Sequence, residues 1–106
     1  MITIEIERDK SRSISGFTVR GHSGTAPRGQ DIVCAGVSAL TQTAVLGLNR
    51  HLKRELQLDI KPGLLALVLQ DAPDVMTDAI LETMLLGLNE IAKSSSDSVR
   101  ILEHRR

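Results

Sequence analysis

Apolar residues in this chain hold one spacing for a few residues and then change it, and the order of those changes limits the folds open to it. Ile2, Ile4 and Ile6 alternate with Thr3, Glu5 and Glu7, the period of a half-buried strand. Ile14, Phe17 and Val19 support a second strand interrupted by Gly16, and the polar residues 8–13 between the two make the turn of a hairpin. From Val37 through Leu40, Ala44, Leu48 and Leu52 the spacing is helical, to about Arg54. Leu56, Leu58 and Ile60 alternate again, Pro62-Gly63 fits a tight turn, and Leu64 to Leu69 are apolar at six successive positions. Asp71-Ala72-Pro73-Asp74 opens a second helix, with proline in its first turn and acidic groups suited to its dipole. Its apolar stripe is Leu81, Met84, Leu85, Leu88, Ile91 and Ala92; Ser94 to Asp97 ends it, and Val99 with Ile101 marks a fifth strand.

The order β-β-α-β-β-α-β predicts a two-layer α+β fold, a mainly antiparallel five-stranded sheet with two helices on one face. With 106 residues there is room for one core, so residues 1–106 are read as a single domain. The fourth strand, apolar throughout, is expected in the middle of the sheet and buried on both faces. Two helices on one face leave the other uncovered, and a homodimer built across that face is one way to cover the strand.

Composition removes several function classes. Hydrophobic residues make up 42% and charged residues 25%, which is ordinary for a folded protein and argues against disorder. Lys and Arg equal Asp and Glu at 13 each, and Phe17 is the one aromatic residue. A nucleic-acid binder needs a basic face and stacking rings, so direct nucleic-acid binding is not expected. The N-terminus lacks the charged start and apolar run of a signal peptide, and no apolar stretch is read as approaching the ~20 residues that span a bilayer. No membrane partner is expected. A single cysteine forms no internal disulfide, and a free thiol suits the reducing cytoplasm, which is the expected location.

That cysteine, Cys34, stands twelve residues after His22, beyond a stretch in which residues 21–30 hold Gly21, Gly24, Gly29 and Pro27. So much backbone freedom predicts a mobile loop. Asp31 occupies the place of a helix N-cap, which puts Cys34 in the first turn. There the backbone N–H groups lack intrahelical acceptors and the helix end is positive, both of which favour thiolate, the nucleophilic form. A nearby imidazole would add to this. The plainer reading is that a free cysteine in an apolar helix is a small buried hydrophobe, and that His22 is a polar loop residue.

The other histidines are poorer bases. His51 lies some 17 residues, or about 25 Å, along the helix from Cys34, and His104 sits beside Glu103, Arg105 and Arg106 at an end expected to fray. Asp31 either caps the helix or orients the His22 imidazole as the acid of a triad does. The first is favoured, because a negative charge beside Cys34 would otherwise disfavour the thiolate. Ser38, one turn after Cys34 on the same side, either bonds the thiolate or substrate or is a small packing residue. One cysteine and one nearby histidine fall short of the ligands zinc requires, so no metal and no other cofactor is expected.

Gly21-His22-Ser23-Gly24, a short loop, and Gly29-Gln30-Asp31-Ile32-Val33-Cys34-Ala35-Gly36-Val37-Ser38 together resemble the signature of the bacterial ribosomal-processing cysteine protease (Prp) family. The resemblance implies a cysteine endopeptidase that removes the short N-terminal extension of a large-subunit ribosomal protein during ribosome maturation. It also implies a His22/Cys34 dyad, a matching serine at Ser38, a precursor protein as partner, and a homodimer. Thr25 and Arg28 stand where bulkier residues are common in that family, and Gly36 where alanine is usual; the last loosens a helix by ~1 kcal/mol. Two rival readings compete with the protease: a noncatalytic ribosome-assembly or RNA-binding module, which needs a clustered basic face, and a redox-sensing thiol, which needs no His22.

Overall fold

The computed structural model of the chain describes the backbone of residues 1–21 and 28–105 and the side chains of 1–21 and 32–105. Its elements are β1 (Ile2–Arg8), β2 (Ile14–Arg20), α1 (Arg28–Leu46), β3 (Leu56–Lys61), β4 (Leu64–Leu69), α2 (Val75–Ser94) and β5 (Val99–Arg105), with α1 running on into a π turn at Gly47–His51. The strands form one sheet in the order β3-β4-β2-β1-β5. Neighbours are antiparallel except β1 and β5, which are parallel. That exception follows from α2: a helical crossover from β4 returns the chain to the opposite edge in the direction of β1, which a short turn cannot do.

Register turns the period of two into a core. Ile4 lies opposite Val19 and Ile6 opposite Phe17, while Phe17 in turn faces Leu67. These side chains project to one face, where Ile2, Ile4, Ile6, Phe17, Leu67 and Val99 join Val37, Ala44 and Leu48 of α1 and Leu81, Met84, Leu85 and Leu88 of α2 in a single buried cluster. The two-layer α+β architecture with both helices on one face is therefore the one that the spacing predicts.

Four expectations need correction. β4 is an inner strand, next to the β3 edge, but it is not buried on both faces. Leu67 is fully buried, whereas Val68, pointing to the side without helices, is 47% exposed. Its apolar run reflects one packed and one open face. Second, helix α1 begins at Arg28, so residues 28–30 are helical rather than part of the loop, and Asp31 lies inside the first turn instead of capping it. An acidic residue suits a helix in either place, because its charge opposes the positive end of the dipole. Third, the cap of α2 is Asp74, whose side chain accepts from the N–H groups of Met76 and Thr77 while Thr77 reciprocates, so Pro73 precedes the cap and lies outside the first turn. Fourth, the span Ile32–His51 has 20 residues with a mean hydropathy of 1.5, enough in length and composition to cross a membrane. Counting uninterrupted apolar runs hides it. In this fold one side of that span, Val37, Thr41, Ala44 and Leu48, is buried in the core.

The helices pack closely where glycines face the partner. A Cβ on Gly36 would lie 3.3 Å from Ile91 Cδ1, and one on Gly87 would lie 2.9 Å from Leu40 Cδ1. Past the π turn, Lys53 takes a left-handed conformation (φ 55°) and turns the chain into β3.

Candidate active site

Helix α1 lies over the end of the sheet where β2 finishes and β4 starts, and between them is an open groove of about 430 Å³. Cys34, Val37, Ser38, Thr41, Gln42, Val45 and Leu46 of α1 form one wall. They recur every three or four residues, so they share one side of the helix. Val19, Ile60, Leu64 and Leu65 make an apolar opposite wall, with Gly21 and Gly63 at one end and Lys61 at the rim. Cys34 is half-buried and free.

Gly21 fixes one end of the groove. Its φ is +94°, a Cβ there would collide with the carbonyl oxygen of Met1, and its N–H donates to the Gly63 carbonyl at 3.0 Å. Only glycine meets both the positive φ and the close approach. His22 is covalently joined to this fixed residue, and the chain returns at Arg28 to start α1. His22, Gly24 and Thr25 themselves lie outside the described residues, as does the side chain of Asp31; the loop mobility expected for residues 22–27 falls there too. Gly29 belongs to the backbone of α1.

Cys34 is about two turns inside α1, not in its first turn. Its backbone N–H is therefore taken up within the helix, and the dipole, which acts mainly over the first turn, contributes less to a thiolate than the sequence suggests. A neighbouring base carries correspondingly more. Ser38 lies one turn on, exposed and lining the same groove. Thr41 is 1% exposed, and its hydroxyl donates to the Val37 carbonyl at 2.9 Å.

The two described histidines lie away from the groove. His51 ends the π turn, exposed. His104 is not frayed: it lies in β5, with Nε2 2.9 Å from Glu5 Oε1 on the sheet face away from the helices. That bond, aided by Arg20, holds the Glu5 carboxyl below the usual carboxylate range. Among the described residues no group of His, Cys, Asp and Glu could hold a metal ion. Sequence reading did not single out Thr41, Gln42 or the wall from the β3–β4 hairpin. Gln42 continues the four-residue step from Cys34 to Ser38, a signal present in the sequence; the hairpin wall has no local signal.

The family model described as "Cysteine protease Prp" matches residues 1–100. A ribosomal processing cysteine protease Prp of Bacillus subtilis is 31% identical over 107 residues, covering 95% of this chain and 96% of that protein. The Prp of Staphylococcus aureus is 28% identical over 104 residues, covering 95% and 97%. Among solved structures, the Staphylococcus aureus ribosomal processing protease Prp with a covalently linked product peptide superposes with a TM-score of 0.88 at 24% identity, covering 98% of this chain and 100% of that one. SMU.848 from Streptococcus mutans superposes at 0.83 with 27% identity, covering 100% and 96%.

Proposed function

Because the chain belongs to the cysteine protease Prp family and is a cysteine protease, we propose that it removes the short N-terminal extension of a large-subunit ribosomal protein, with Cys34 as nucleophile and His22 as base. One observation carries this reading: the only thiol of the chain lines a peptide-sized groove. His22 takes the thiol proton, and the thiolate attacks the scissile carbonyl, whose oxygen gathers the negative charge. As the C–N bond breaks, the imidazolium returns its proton to the leaving amine and a thioester remains. Water, deprotonated by the same imidazole, then releases the second product.

The helical placement of Cys34 changes one part of this scheme. Backbone N–H groups around a mid-helix residue are already bonded, so donors to the oxyanion come from side chains or from the 22–27 segment instead. Ser38, on the groove wall, bonds the substrate in this reading. Asp31 orients the imidazole or sets the charge at the start of α1, and Gly24 belongs to the loop that meets the substrate. The compartment is the cytoplasm, where the thiol stays reduced. The substrate reading is supported by relatives that are ribosomal processing proteases by name.

The test is to incubate the purified protein with the precursor and weigh the products. One cut at the extension is expected, and none with Cys34→Ala, whose melting temperature should match the wild type. Normal processing by Cys34→Ala would remove the nucleophile assignment; no processing by the wild type would remove the substrate.

A further inference from the structure

We propose that Gln42 is a substrate-binding residue, its carboxamide pairing with the backbone of the bound peptide at the fourth residue from the scissile bond. The inference rests on the reading that a peptide is cut at Cys34. An extended peptide in this groove lies against Val37, Val45 and Leu46 on one side and Val19, Ile60, Leu64 and Leu65 on the other, and none of these side chains can replace the water lost from its N–H and C=O groups. Buried backbone polar groups need partners. On the helix wall the polar side chains are Ser38, Thr41 and Gln42, and Thr41 is buried with its hydroxyl already donated to Val37. Ser38 and Gln42 are exposed, and their side chains have no hydrogen-bond partner among the described residues.

Their spacing fits a strand. Cys34, Ser38 and Gln42 are four residues apart in turn, about 6 Å of helix per step. An extended peptide advances about 6.6 Å every two residues, and its N–H and C=O groups turn to the same side with that period. With the scissile carbonyl at Cys34, Ser38 meets the second residue away and Gln42 the fourth. A carboxamide offers a donor and an acceptor together, which complements the N–H and C=O that a single extended residue turns to the same side.

The experiment measures kcat/KM for the precursor peptide and for variants in which each backbone amide within five residues of the cut, in turn, is replaced by an ester. The ester removes one N–H and weakens one acceptor. For the wild type, an ester at the fourth residue on one side should lower kcat/KM roughly five- to tenfold, the scale of one lost hydrogen bond. Gln42→Leu should lose the same factor on the all-amide peptide, and the ester at that position should then cost it less than twofold, while esters elsewhere affect both proteins alike. If the losses from Gln42→Leu and from every ester simply multiply, or if Gln42→Leu cleaves normally, the anchor is wrong and the protease reading stands. Should the wild type fail to cleave the all-amide peptide, the function reading fails on its own, and the affinities of the same peptides for Cys34→Ala and Cys34→Ala/Gln42→Leu decide the anchor by the same pattern.

Discussion

At the scale of single residues, the placement of Cys34 decides how its thiol is activated. Two turns inside α1, it has little help from the helix end, so in the proposed mechanism His22 carries most of the activation. His22→Ala should therefore lower turnover by about two orders of magnitude or more, the scale of lost general acid–base help, and should slow alkylation of Cys34 by iodoacetamide. If both rates stayed at the wild-type level, the pairing would be wrong and a redox or structural thiol would be the better account. The proposed pairing is legible in the sequence only as a motif. What the spacing of His22 and Cys34 does not contain is the groove, because the residues opposite Cys34, Ile60 and Leu64 to Leu65, come from a hairpin far along the chain.

At the scale of elements, α2 is fixed at both its start and its flank. Asp74 caps it and meets Arg54 at 2.6 Å, and that guanidinium, with the N–H of Thr77, holds the Asp74 carboxyl below its usual value of 3.8. A carboxylate with a depressed folded value contributes stability that is complete above the ordinary value and fades as pH falls through the folded one. Asp74→Asn keeps the capping acceptor and loses the ion pair. It should melt slightly lower than the wild type at pH 7, only slightly because Asp74 is 48% exposed, and the gap should narrow as pH falls below the ordinary 3.8; a gap unchanged by acid would assign the effect to the cap. The helix pair gives a second test. Gly36→Ala brings a Cβ against the terminal methyl of Ile91 at 3.3 Å, a group that can turn aside, while gaining ~1 kcal/mol of helix propensity. Its melting temperature should rise by a few degrees. Gly87→Ala, with two Leu40 methyls at 2.9 and 3.4 Å, should fall instead.

At the scale of the molecule, the uncovered sheet face is mostly polar: Glu5, Arg20 and His104 are joined across it. Its apolar residues are Leu102 of β5, opposite Glu5, and, on β4, Ala66 and Val68, Val68 being 47% exposed. A homodimer across this face is accordingly proposed to centre on β4 rather than on the whole sheet. Sedimentation at micromolar concentration should give a dimer, and Val68→Lys should shift it to monomer, since a buried unpaired ammonium opposes association. A wild-type monomer would end this reading, and a dimer unchanged by Val68→Lys would move the interface elsewhere.

Element order, both layers and the core positions follow from local spacing alone. Ile2, Ile4 and Ile6 mark one strand face, and Val37 to Leu48 one helix face, because side-chain direction depends on neighbours only a few bonds away. Element ends are less legible. Asp31 and Pro73 each favour a helix start over a range of positions, so packing chose among them. What only the tertiary structure decided was which distant residues meet. β5 lies parallel to β1 because α2 crosses the sheet, Arg8 binds Glu82 and Glu103 from 74 and 95 positions away, and Cys34 faces a wall built by β3 and β4. Such contacts depend on chain closure over long separations, and no local pattern encodes the partner; the sheet register does.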